Sequence, residues 1–275
     1  MAADPSLIDR VVIVTGGSRG LGREMALTLV EAGARVAVVG LTDSAHLAKI
    51  VKDAQAIAGD GRLIPIVADM RRDSDCQRVV AETLGAFGAL HVLFNNAGLG
   101  IQVVANYSKK PRTMFWETDV EAWNAIVDTN VHGVFLMARA ATPTMIAQKF
   151  GKIINVSTNR HTMLRLGGSS YGGAKAFVET ASRVWAKELE GTGVTVNVLL
   201  PGGPVDTGIR AGIESVPERL WPITIMRAPT LWLSSDLSNG HTAQRFLARL
   251  WDEKLPLPER ITAAREDGID KPMMM

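Results

Sequence analysis

Two side chains in the stretch Ser169-Ser170-Tyr171-Gly172-Gly173-Ala174-Lys175 could carry proton chemistry together. Phe177, Val178, Ala181, Val184, Trp185 and Leu189 follow at helical spacing, so the stretch opens an amphipathic helix. Tyr171 and Lys175 stand four residues apart on it and share one face. A free phenol loses its proton at about pH 10, and a neighbouring ammonium favours the phenolate and lowers that value. The pair is suited to exchanging a proton with a substrate near neutrality. The competing reading is a chance pair on a solvated face, and the rest of the chain must decide between them.

The elements around the pair begin with a β-branched run at residues 10–15, followed at once by the turn Gly16-Gly17-Ser18-Arg19-Gly20-Leu21-Gly22 and a helical pattern through Ala32. Strand, glycine turn and helix are the context of a dinucleotide-phosphate loop. Glycines let backbone approach a pyrophosphate, and the helix N-terminus offers free N–H groups and a positive dipole end. No Gly-Lys-Ser/Thr ends the turn, which excludes a P-loop. Further strands are expected at 35–39, 62–67, 90–94, 152–156 and 194–200. Helices are expected at 44–58, from Asp73 or Ser74 as cap to Phe87, from Asp119 to about Met145, and over the Tyr171 segment. Such alternation implies a parallel, doubly wound α/β sheet with helices on both faces, folded as one domain over 1–275. Residues 99–118 and 206–229 break the rhythm just after strand ends, where open α/β sheets bind ligands, and read as substrate walls. The course of the polar tail 251–275 is left open.

Composition removes other classes. The 275 residues carry 30 basic and 28 acidic side chains, a net charge of +2 with no basic tract, which argues against a nucleic-acid partner. Cys76 is the sole cysteine, so neither an intrachain disulfide nor a thiolate metal cluster can form. His46, His91, His132, His161 and His241 lack ligand spacing, and no metal is expected. No basic start and apolar run marks a signal peptide, and no apolar stretch is long enough to span a membrane, so a cytoplasmic protein is expected.

Taken together, the chain resembles the short-chain dehydrogenase/reductase superfamily. The resemblance rests on Thr15-Gly16-x-x-x-Gly20-x-Gly22, Asn95-Asn96-Ala97-Gly98, Asn130, the hydroxyl pair Ser157-Thr158, Tyr171-x-x-x-Lys175 and Pro201-Gly202, in the family's order over roughly residues 8–250. It implies a seven-stranded Rossmann-type sheet of order 3-2-1-4-5-6-7 and an NAD(P)-dependent oxidoreductase acting on an alcohol/ketone pair. Tyr171 would be the acid/base, Lys175 its partner, Ser157 or Thr158 the hydroxyl on the substrate oxygen, and Asn130 the holder of a proton-relaying water. The cofactor would lie against Gly16, Ser18, Arg19, Gly20, Leu21 and Gly22, with Asp69 and Met70 near the adenine. Asn96, Ala97 and Gly98 would form its floor, and Pro201, Gly202, Val205 and Thr207 would flank the nicotinamide beside Tyr171 and Lys175. A homodimer or homotetramer is implied, built on the 119–145 and 171–189 helices. A sensor or scaffold that binds cofactor without turnover, and a dehydratase or epimerase, remain the rival readings.

Three departures from the family pattern matter. The catalytic serine usually stands 13 residues before the tyrosine, and here that position is Thr158, with Ser157 one earlier. The Gly98–Asn130 interval is longer than usual, and the final strand lacks the usual Asp-Gly-Gly-like turn. Cofactor choice is argued from the second strand's end, where an NAD enzyme has an Asp and this chain has Gly40 and Leu41, with Asp43 assigned to capping the next helix. Arg19 could meet a 2′-phosphate, so NADP(H) is favoured and NAD(H) stays open. Met114, Phe115, Trp116, Met163, Leu164, Trp221 and Met226 suggest a mainly apolar substrate pocket.

Overall fold

The central strand β1 (Val11–Thr15) is buried at every position, because its alternating side chains enter two different cores. Val12 and Val14 pack with Met25, Leu29, Phe94, Trp232 and Phe246 on one face, while Ile13 packs with Val39, Leu93, Met137 and Ile153 on the other. A run of β-branched residues with no polar alternation is what such a doubly covered strand requires. The computed structural model describes residues 4–104, 113–206 and 220–266.

Seven strands pair in parallel in the order β3-β2-β1-β4-β5-β6-β7, as expected, and an eighth adds at the edge. They are β2 (Arg35–Gly40), β3 (Leu63–Val67), β4 (Val92–Asn95), β5 (Gly151–Val156), β6 (Val194–Leu200), β7 (Arg245–Leu247) and β8 (Arg265–Glu266). The expectation of seven strands is corrected by β8, which runs antiparallel to β7 and comes from the tail whose course the sequence left open. Helices α1 (Gly20–Glu31) and α2 (Ala45–Ala58) cover the first face. The opposite face is covered by α3 (Asp73–Phe87), α5 (Gly133–Ala147) and α6 (Ser169–Glu188), with α4 (Val120–Val127) leading into α5. Later in the chain α7 (Arg227–Ser234) and α8 (Leu257–Ala264) return to the first face.

Two expected caps move by a residue. Ser44, not Asp43, caps α2 by accepting from the Leu47 N–H at 3.3 Å. At α3 the cap position is Arg72, and Asp73 is already in the first turn, where its charge complements the helix dipole. Asp119, where the helix was expected to begin, caps α4 by accepting from the Glu121 and Ala122 N–H groups. Between α4 and α5 the chain makes one π-helical turn, Asp128–His132. The wider turn sets Asn130, fully buried, out of register with the α-helical faces on either side.

A buried polar chain fixes α6 against the sheet. Asn95 donates to Asn155 at 2.8 Å, Asn155 donates to the Ser182 hydroxyl at 2.8 Å, and that hydroxyl donates to the Val178 carbonyl. Every member is partnered, so the chain specifies one register of α6 on β4 and β5. That register carries the Tyr171 end of α6 over the carboxyl end of β5.

Candidate active site

A cleft of about 250 Å³ opens at the carboxyl ends of β1, β4, β5 and β6. It brings together ten of the residues expected from sequence: Leu21, Asn96, Gly98, Ser157, Thr158, Tyr171, Lys175, Pro201, Gly202 and Val205. Leu99 and Gly100, which open the expected wall segment 99–118, also line it, as does Gly203 beside Pro201 and Gly202; Val156 and Asn159, flanking the hydroxyl pair, were not foreseen, having no chemical signature of their own.

The glycine turn is built on backbone proximity. Gly16 has φ +62°, and a Cβ there would lie 2.8 Å from the Ala97 Cα. A Cβ on Gly17 would lie 2.8 Å from Val38. Gly20, with φ +56°, begins α1. The Thr15 hydroxyl accepts from the N–H groups of Asn96 and Ala97, both at 3.0 Å, and the Asn96 amide donates to the Thr15 and Gly16 carbonyls. Gly22 is therefore a packing residue, since a Cβ there would run into the Asn96 amide and the Gly16 carbonyl. Gly22→Ala is expected to lower unfolding free energy by about 1–3 kcal/mol through this overpacking. The urea midpoint reads the effect, and a wild-type midpoint would mean that the turn has slack.

Other expected cofactor contacts are placed outside the cleft lining. Ser18 is partly buried and Arg19 exposed, Arg19 standing at the cap position of α1. Asp69 is held by Arg71 through bonds of 2.8 and 2.7 Å, and that guanidinium keeps its carboxyl below the usual carboxylate range. Met70 is buried against Gly133. Thr207 lies outside the described residues. Asn130 holds the loop after β4: its side-chain oxygen accepts from the Leu99 N–H at 2.7 Å and its amide donates to the Leu99 carbonyl at 2.8 Å.

Around the reactive pair, the two adjacent hydroxyls separate. Ser157 donates to the buried carboxylate of Glu179 at 2.8 Å. The Thr158 hydroxyl faces the Tyr171 phenol and favours its ionised form. Lys175, 5% exposed, donates to the Val156 carbonyl at 2.8 Å, and its ammonium lies 6.0 Å from the Tyr171 ring centre. Burial pulls the Lys175 ammonium down to about 8, against the opposing charge of Glu179. The Tyr171 phenol is pushed above its ordinary value by burial, with the Thr158 hydroxyl acting the other way. The depression expected from Lys175 is not found: burial sets the direction of the shift, and Thr158 is the one influence acting against it. Gly172 is required by packing, because a Cβ there would strike the Met163 carbonyl of the single helical turn Arg160–Met163.

The apolar residues expected to wall a substrate pocket are dispersed. Met226 is fully buried in the core, and Trp221 bridges to Val205 and packs on Gly203. Phe115 and Trp116 stack edge-to-face and are exposed, as is Leu164. Residues 105–112 and 207–219 of the two irregular segments fall outside the described residues.

The short chain dehydrogenase family model matches residues 10–217. A short-chain type dehydrogenase/reductase of Picea abies is 34% identical over 250 residues, covering 86% of this chain and 89% of that protein. The NADPH-dependent aldehyde reductase 2, chloroplastic, of Arabidopsis thaliana is 34% identical over 210 residues, covering 73% and 74%. The structure of a short-chain type dehydrogenase/reductase from Mycobacterium ulcerans superposes with a TM-score of 0.77 at 26% identity, covering 87% of this chain and 88% of that one.

Proposed function

Since the chain belongs to the short-chain dehydrogenase family, we propose that it is a nicotinamide-dependent oxidoreductase interconverting an alcohol and a carbonyl, with Tyr171 as acid/base. The observation that carries this reading is the meeting of the Thr158 hydroxyl, the Tyr171 phenol and the Lys175 ammonium at one cleft whose other wall is Leu21, Asn96 and Pro201–Gly203. A dinucleotide fits these residues: the turn has no room for side chains at Gly16, Gly17 or Gly22, and α1 starts directly behind it. Gly16, Ser18, Arg19, Gly20 and Leu21 would hold its phosphates, Asp69 and Met70 would approach the adenine, Asn96 to Gly98 would form its floor, and Pro201, Gly202, Val205 and Thr207 would flank the nicotinamide. When bound, that nicotinamide gives or takes a hydride at the carbonyl carbon.

The protein's own groups handle the oxygen. Tyr171 gives the carbonyl oxygen its proton as charge develops there, or removes it in the oxidative direction. Thr158 orients the same oxygen by a hydrogen bond. Lys175, with an ammonium already brought to about 8, can hand on a proton near neutral pH. Asn130 keeps Leu99 and the floor of the cleft in place. The sheet is continuous through the described residues, which supports reading the chain as one domain.

NADP(H) is the cofactor we favour. The end of β2 offers Gly40 and an exposed Leu41 where a ribose-binding acid would stand, and Arg19 is exposed at the start of α1. Arg19→Ala is expected to weaken NADPH binding roughly 10- to 150-fold and NADH binding far less, as for loss of a charge-assisted hydrogen bond. Fluorescence titration compares them, and equal losses would make Arg19 a solvated turn residue.

The decisive experiment follows NADPH and NADH oxidation with a panel of ketones and aldehydes. Turnover supports the enzyme, whereas tight cofactor binding without turnover favours the sensor reading. Among the described residues no helix is long and apolar enough to cross a membrane. Val120, Trp123, Phe135, Phe177 and Val184 expose apolar surface on α4, α5 and α6, which supports self-association through these helices as a dimer or tetramer. Light scattering at several concentrations would detect it, and a monomer at every concentration would overturn it.

A further inference from the structure

Directly behind the cleft lies a buried ion pair that the chemistry above does not use. Glu179 stands one turn beyond Lys175 on α6, and Arg245 opens β7; their side chains are 5% and 6% exposed. Arg245 Nε donates to Glu179 at 3.0 Å, and its Nη2 donates to the Thr158 carbonyl at 3.0 Å. Arg245 Nη1 pairs with Glu266 of β8. The same Glu179 oxygen that meets Arg245 also accepts from the Ser157 hydroxyl.

We propose that Glu179 and Arg245 are positioning residues that clamp the Ser157–Thr158 backbone and so hold Thr158 at the mouth of the cleft facing Tyr171, with β8 as the clamp's outer support. The consequence for turnover rests on the oxidoreductase reading; the clamp itself does not. β5 ends at Val156, and the Ser157 N–H makes one further bond to the Leu199 carbonyl. Thr158 thus sits where the ladder stops, and its direction needs another source. Glu179 commits the Ser157 hydroxyl to the α6 side, and Arg245 fixes the next carbonyl. An ion pair this buried is no more stabilising than a well-packed apolar pair of similar volume. What it adds is direction, because a planar guanidinium holds its acceptors in a set geometry.

The test replaces the clamp without leaving a lone buried charge. Glu179→Leu/Arg245→Met removes one charge of each sign, and apolar replacements of this kind usually fold. The readout is ¹⁹F NMR of protein labelled with 3-fluorotyrosine. The sequence holds two tyrosines, Tyr107 and Tyr171, so Tyr171→Phe assigns the signals. The double variant is expected to move the Tyr171 resonance as Thr158→Val does. Its kcat should fall by up to about 10²-fold, the scale of a lost orientation, with NADPH Kd within about twofold of wild type. Arg245→Lys keeps the charge but not the fork, and should displace the resonance in the same sense; it decides the matter if the double variant does not fold. A Tyr171 resonance unmoved in a folded variant overturns the clamp. If the wild-type protein turns over no carbonyl, the functional reading fails, while the resonance comparison still decides the clamp.

Discussion

Tyr171→Phe is expected to reduce kcat by about 10²–10⁴-fold, the usual contribution of a general acid/base, while unfolding and cofactor binding stay near wild type. The substitution removes one hydroxyl and leaves the ring in its place on α6. The neighbouring Thr158 hydroxyl can turn elsewhere, and no buried ion is stranded. Lys175 keeps its bond to the Val156 carbonyl. Because burial raises the phenol, Tyr171 is protonated at neutral pH in the free protein, the form suited to reducing a carbonyl. A phenylalanine variant within tenfold of wild type in steady-state turnover would move the proton transfer to another group. A large loss shared with Thr158→Val, but not with Ser157→Ala, would tie it to the facing pair.

The second large effect separates the two hydroxyls. Thr158→Val preserves shape and deletes the hydroxyl that meets Tyr171, and should cost turnover on the same roughly 10²-fold scale as other lost orienting contacts. Thr158→Ser keeps the donor and should retain most activity, with a wider substrate range as one methyl leaves the site. Ser157→Ala should act mainly on stability, by about 1.5–3 kcal/mol for one hydrogen bond to a carboxylate, because its hydroxyl is spent on Glu179 while Arg245 still holds the Thr158 carbonyl. Glu179 keeps Arg245 in that variant, so its charge is not left alone. The reverse ranking in kcat would give the role to Ser157 and require the backbone past β5 to turn over when substrate binds.

Much of the fold was legible because it is local. The β-branched run of β1, the glycines after it and the periodic face of α6 each follow from a window of a few residues, and β6 falls at the expected Val194–Leu200. The cap at α2 shifted by a residue because neighbouring Asp43 and Ser44 compete for the same role, whereas at α3 the backbone enters the helix one residue earlier, at Arg72, with no side-chain cap bond. Of the expected substrate walls, the start of the 99–118 segment lines the cleft, but the named large apolar residues were not legible by type. Large apolar type predicts burial or a pocket equally, and Met226 took the first while Phe115 and Trp116 took neither.

By itself the sequence determined the order of strands and helices, the glycine turn and the shared face of Tyr171 and Lys175, and the family resemblance added the 13-residue spacing that favours Thr158. These depend on periodicity and on distance along the chain, which sequence records directly. Only the tertiary structure decided that Ser157 is drawn off by Glu179, that Arg245 grips the Thr158 carbonyl and that Asn130 holds Leu99. The signal for Glu179 was present, as the acid one turn beyond Lys175, but it reads equally as a solvated helix position. Its partner lies 66 residues away, and the Arg245–Thr158 contact spans 87. Such pairs meet through the registers of β5 on β6 and β6 on β7, and a strand's register is set by the whole sheet's packing on both faces, not by the residues within it.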